Sequence, residues 1–255
     1  MYRKPFKTET KKFNSIIKSS ALLFILIFNT GFSQKNYPKD SSKIQEKTLK
    51  IKQFIFPATL VTAGFISLSN PKLNESIKNN IQEKNSNFHT TIDNYTEFIP
   101  GAAVFALNAF GVKGKHNWKD AALIYGTSLA ITATVVFSLK SITREQRPDF
   151  SDNNSFPSGH TAIAFASAEF LWQEYKNSPW IGFSGYTIAI ATGVLRMYNN
   201  KHWFGDVLAG AGFGIASAKL SYYLYDKIFI KKGWSFTFYP IYINNIAGFS
   251  YVYRF

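Results

Sequence analysis

A chain of 255 residues that is 46% hydrophobic, 17% aromatic and 17% charged can build one good-sized domain and is too apolar for bulk disorder. The absence of cysteine excludes disulfides, thiol catalysis and zinc–thiolate sites. The net charge is +14, and with no zinc-finger, helix-turn-helix or RNA-binding signature it points to membrane phosphates and not to nucleic acid.

Residues 1–33 read as a secretory signal peptide. Lys4, Lys7, Lys11, Lys12 and Lys18 form a basic region, Ala21 to Phe28 an apolar core, and Gly31-Phe32-Ser33 a small-residue cleavage site before Gln34. The competing reading is an uncleaved anchor, for which the apolar run is short. Residues 34–97 read as an N-terminal helical or linker region: a Lys-rich stretch to 53, an apolar segment over 54–69, then a polar, glycine-free and helix-compatible stretch over 70–96.

Further apolar segments fall at 98–112, 119–139, 160–172, 181–195 and 203–225. They are rich in Ala, Gly, Ser and Thr, which suits close helix–helix packing in a bundle. The uncharged run Ala121 to Leu139 is the best transmembrane candidate, although a buried helix of a soluble domain reads similarly. Over 234–255, Phe236, Phe238 and Tyr242, then Asn244-Asn245, then Tyr251, Tyr253 and Phe255 predict a β-hairpin. Two strands cannot close a barrel, so an edge hairpin beside the bundle is expected.

Three motifs carry chemistry. The first is Lys140-x6-Arg147-Pro148. Its two cations, two helical turns apart, would share one helix face and repel unless an anion lay between them. The second is Phe156-Pro157-Ser158-Gly159-His160: Ser158 is placed to cap a helix, Gly159 lets an anion approach its free N–H groups, and His160 would point into the same mouth. The third is Arg196-x5-His202-x3-Asp206. At i, i+4 the carboxylate can accept the Nδ1 proton of the ring, leaving Nε2 as a lone-pair nucleophile. Singly, each admits a bland reading as a basic helix end, an ordinary capped helix or a metal pair, the last without support from the spacing of His89 and His116. If consecutive apolar segments run antiparallel, all three meet at one end of the bundle.

The stretches KSITREQRP, FPSGH and RMYNNKHWFGD resemble the three-part signature of the type 2 phosphatidic acid phosphatase/vanadium haloperoxidase superfamily, over a core of about residues 98–225. Leu195 departs from the serine usual before the arginine, and the gap from Pro148 to Pro157 is short. The resemblance implies an all-α bundle of about six core helices, with a phosphatase core at 98–233, a C-terminal tail at 234–255 and membrane association. It assigns His202 as nucleophile, Asp206 as its orienting partner and His160 as proton donor and acceptor. Lys140, Arg147, Arg196, Ser158 and Gly159 would hold the phosphoryl group, with no metal and no other cofactor. The expected substrates are phosphomonoesters or diphosphates of membrane lipids: phosphatidic acid, phosphatidylglycerol phosphate, isoprenoid diphosphate or lipid A. The alternatives are a soluble periplasmic acid phosphatase, a vanadate-dependent haloperoxidase and, last, a non-enzymatic phosphate-binding module.

Phe150, Phe156 and Trp203 would line the entry. Lys113, Lys115, Lys119, Lys176, Lys227, Lys231 and Lys232 lie on the face opposite the motifs. By the positive-inside tendency that face is cytoplasmic, which puts the site in the periplasm, with the inner membrane preferred to the outer. A cleaved signal followed by six spans would instead turn the site inward. An uncrossed 54–69, a retained signal or a peripheral bundle would each remove that conflict.

Overall fold

The computed structural model describes residues 51–230, 235–243 and 246–254. The expected signal peptide, Lys231, Lys232 and the Asn244-Asn245 turn lie outside them. A short 3-10 turn, Ile51–Phe54, leads into α1 (Ile55–Leu68), followed by α2 (Pro71–Asn85), the single turn α3 (Asp93–Thr96) and α4 (Ile99–Ala109). Four long helices complete the bundle: α5 (Trp118–Thr143), α6 (Gly159–Glu174), α7 (Pro179–Tyr198) and α8 (Phe204–Tyr225), the last continuing into a π-turn, Asp226–Ile230. The six apolar segments thus become α1 and α4 to α8, and the polar stretch between the first two becomes α2 and α3.

Local chemistry sets most of the ends. Asn117 caps α5, its Oδ1 accepting from Lys119 N at 3.0 Å and Asp120 N at 3.1 Å. Prolines 71, 100 and 179 occupy first-turn positions, where the missing N–H costs nothing. α5 stops at Thr143 because Arg144 turns left-handed at φ 48°, its N–H closing on Lys140 O. The expectation that one helix face carries both Lys140 and Arg147 is therefore corrected: Arg147 sits in the loop beyond the helix.

α6 is the central element. Ala162, Ala164, Ala166 and Ala168 are all fully buried, and Phe170 and Leu171 continue into a cluster with Val104, Ile124, Tyr175 and Tyr222. Small residues set the spacing of its neighbours. A Cβ on Gly214 of α8 would lie 2.2 Å from Ala162 O of α6, and one on Gly64 of α1 would lie 2.7 Å from Ala209 Cβ of α8. Glu169, the charge inside α6, is compensated by Lys219 Nζ at 2.7 Å and by the Tyr186 hydroxyl.

Two helical stretches, Ile51–Leu68 and Trp118–Thr143, are long and apolar enough to cross a membrane. Large apolar side chains such as Phe56, Ile66, Phe137 and Phe183 stay exposed on the bundle exterior. The C-terminal residues form a separate unit, a hairpin of β1 (Ser235–Ile243) and β2 (Ile246–Arg254), antiparallel and in register from Ser235 opposite Arg254 to Ile243 opposite Ile246.

Candidate active site

The C-terminal half of α5, the loop after it, the start of α6 and the turn before α8 open on one cavity of about 260 Å³. Lys140, Arg147, Gly159, His160 and His202 line its polar end, together with Glu97, which precedes α4. Thr132, Ala133, Val136, Phe137 and Ile163 make an apolar wall. Three separated sequence motifs thus meet where antiparallel packing predicts.

His202 sits in the turn before α8 and is 3% exposed. Its Nδ1 faces Asp206 Oδ2 at 3.3 Å, one helical turn on. The same Oδ2 accepts from Trp203 N at 2.9 Å, closing the start of α8, and from Ser155 Oγ at 2.5 Å. Burial pushes the imidazole down to about 4 against the pull of Asp206, with Lys140 and Arg196 adding to the depression. The ring is therefore neutral at pH 7, with Nδ1 turned to a carboxylate and Nε2 left for the cavity.

His160, in the first turn of α6, directs Nε2 at Asn94 Oδ1, 2.9 Å away, with Glu97 Oε1 at 4.0 Å. Burial, then the charge of Arg196, lowers it to about 4 in the unliganded site. Burial raises Glu97 to about 7 against the opposing charge of Arg196. Ser158 caps α6 as its position predicts: its Oγ accepts from Thr161 Oγ1 at 2.9 Å and from Thr161 N at 3.4 Å, and its N–H bonds Asp206 O at 3.0 Å. The first N–H groups of α6, at Gly159 and His160, precede the intrahelical ladder, and both residues line the cavity.

The cations are held before any anion arrives. Lys140 Nζ donates to the carbonyls of Asn154 and Ser155, the second at 3.3 Å. Arg147 Nε donates to Asp152 Oδ1 at 2.9 Å. Arg196 is 7% exposed, and its Nη1 donates to Asp93 Oδ2 at 2.5 Å. Five of the eight residues expected from the motifs therefore line the cavity; Ser158, Arg196 and Asp206 stand directly behind them.

Sequence reasoning missed Asp93, Asn94 and Glu97, which the polar stretch and its end carry into the site. It also missed the bracing by α2. Lys78 Nζ donates to Pro148 O at 2.8 Å, Gln82 Nε2 to Tyr198 O at 3.2 Å, and Asn74 Oδ1 accepts from Gly205 N at 3.2 Å. No spacing rule links these residues to the motifs, and their polarity on a helix-compatible stretch reads as a solvated face. Of the three aromatics expected at the entry, Phe150 is 69% exposed and Trp203 flanks it across Lys78, but Phe156 is fully buried against Phe65, ring centroids 4.9 Å apart. Among the described residues no cluster of three or more His, Asp or Glu is arranged to hold a metal ion.

The family model described as PAP2 superfamily matches residues 121–230. A lipid A 1-phosphatase of Porphyromonas gingivalis is 41% identical over 144 residues, which are 56% of this chain and 32% of that protein. A bacitracin transport permease protein of Bacillus licheniformis is 32% identical over 76 residues, 30% of this chain and 36% of that one. The chain thus spans about a third of the length of these curated relatives. Among solved structures, Aquifex aeolicus LpxE is similar with TM-score 0.46 and 23% identity, over 59% of this chain and 95% of that one. A transmembrane PAP2-type phosphatidylglycerolphosphate phosphatase of Bacillus subtilis is similar with TM-score 0.38 and 23% identity, over 82% and 96%.

Proposed function

We propose that this protein is a metal-independent phosphatase of membrane-lipid phosphates, working through a phosphohistidine on His202. The observation that carries the reading is the neutral, carboxylate-oriented His202 opening on a cavity whose polar end holds Lys140, Arg147 and His160 and whose wall is apolar.

His202 Nε2 attacks phosphorus, the ester P–O bond breaks, and the leaving oxygen takes a proton from His160. Water then attacks phosphorus and gives a proton to His160 as the P–N bond breaks, releasing phosphate and returning the electron pair to the His202 ring. Asp206 offsets the charge that His202 gains in between. Lys140 and Arg147, with Arg196 behind them, hold the equatorial oxygens alongside the Ser158 hydroxyl and the Gly159 N–H, where charge spreads in the transition state. His160 is neutral in the empty site; a phosphate dianion placed against it favours the imidazolium that the first step consumes.

The apolar wall supports a lipid substrate, since acyl chains would bury surface there that a sugar phosphate cannot. The relative named as a lipid A 1-phosphatase makes lipid A the first candidate. The two apolar helical stretches support membrane association, and the lysines at the far end of the bundle support an inner-membrane protein with its site in the periplasm. The test is kcat/KM in excess chelator for lipid A and phosphatidic acid in mixed micelles against p-nitrophenyl phosphate. We expect at least one lipid to be preferred roughly tenfold or more, the worth of two or so buried methylenes. Equal or better turnover of the soluble ester would hand the site to an acid phosphatase.

A further inference from the structure

The carboxylate behind His202 has one side satisfied and one side not. Its Oδ2 takes donors from Ser155, Trp203 and His202. Its Oδ1 is buried with no donor among the described residues, and so is Oε2 of Glu145, from the loop that follows α5. These two carboxyl groups are within hydrogen-bonding contact of each other. The arrangement is built from both sides: Glu145 O accepts from Ser155 N at 3.0 Å, and the hydroxyl of that same Ser155 holds Asp206.

A buried carboxylate and a half-buried one in contact, each with a buried oxygen lacking a donor, are doubly unfavourable: the charges repel and two acceptors go unpaired. One shared proton removes both faults. The proton belongs on Glu145, because the donors on Oδ2 and the imidazole of His202 favour the anion at Asp206. Besides Asp206 on α8, the charged group facing Glu145 is Lys140 at the end of α5, which opposes the effect; burial and then the Asp206 charge still push Glu145 up to about 9.

We infer that Glu145, carrying this proton, donates to Asp206 Oδ1 and so fixes the carboxylate that orients His202; it is a positioning residue for the nucleophile. Its neutrality also keeps a second negative charge out of a site built for phosphate. The inference about catalysis rests on His202 being the nucleophile, whereas the shared proton does not.

Two measurements on the full-length protein in detergent separate these points. The infrared difference spectrum of wild type minus Glu145→Gln at pH 7 should contain the carbonyl stretch of a protonated carboxylic acid; its absence overturns the shared proton whatever the protein's activity. With lipid A as substrate, Glu145→Ala should lower kcat about tenfold to a hundredfold with KM within about twofold, the worth of one charge-assisted hydrogen bond made to the oriented pair. Glu145→Gln, which keeps an N–H donor of similar reach, should recover kcat to within about threefold. Full kcat in Glu145→Ala, or an equal loss in both variants, overturns the positioning role. A His202→Ala control that hydrolyses lipid A like wild type would overturn the nucleophile reading instead, and the infrared result would still stand.

Discussion

The nucleophile role proposed for His202 requires a neutral imidazole and an unencumbered Nε2, and burial secures the first condition against the pull of Asp206, which favours the charged ring. The folded-state value near 4 lies below the ordinary histidine value, so the ring charges only as pH falls through about 4. Histidine NMR, assigned by the missing resonance in His202→Ala, should therefore show a neutral ring protonated at Nδ1 at pH 6; titration near 6.5 would mean that the site is wetter than described. The same variant should fold and lose at least about 10³-fold in kcat, as other nucleophile deletions do. Near-normal hydrolysis would end the phosphohistidine mechanism. The motif residues were legible because His, Ser-Gly-His and paired cations at these spacings have few other uses together. Asp93, Glu97 and Glu145 were not, since a lone acidic residue in a polar stretch looks like any solvated charge until the fold buries it.

Helices were legible as elements because their apolar runs carry few charges and several of their starts carry Asn117, Ser158 or a first-turn proline. The end of α5 was not: Arg144, Glu145 and Gln146 are all good helix formers, and only the left-handed turn at Arg144 shows that the helix stops before Arg147. That break lets Glu145 and Arg147 reach different parts of the site from one short loop. Packing between elements rests on small residues whose contacts no sequence pattern specifies. Gly214 is the sharpest case, because a side chain there meets the backbone of α6 at Ala162 and Ala166, which cannot swing aside as a rotamer could. Gly214→Val should cost about 3 kcal/mol, read as a fall in Tm of about 6–12 °C for a chain of this size. Since α6 carries His160 and α8 follows His202, kcat should fall in the protein that remains folded. An unchanged Tm would show that the α6–α8 contact is looser than described.

For the whole molecule, the order of helices constrains which way the site can face. α1 ends beside the start of α8, where Ser67 Oγ donates to Asn74 and a Cβ on Gly205 would meet Ser67 Cβ at 2.8 Å. The last turn of α5 brings Lys140 to the cavity. Both helices therefore run toward the site, and residue 51 lies at the other end of the first of them. If α1 crosses a membrane, an outward-facing site needs residue 51 on the cytoplasmic side, whereas a cleaved secretory signal would leave residue 34 outside. The two sequence expectations pull against each other there, and the topology shows where. Lysines 113, 119, 176 and 227 belong to the connections and helix end at the far side, and the positive-inside tendency weighs them as cytoplasmic. The chain has no cysteine, so a single introduced thiol reports sidedness without background. Asn153→Cys, in the exposed loop over the cavity, should react with a membrane-impermeant maleimide in intact spheroplasts. Asn177→Cys, exposed between α6 and α7 at the far end, should react only after permeabilisation. The reverse pattern would turn the site inward and favour the exported N-terminus, and labelling of both without permeabilisation would mean that the bundle lies on the membrane and does not cross it.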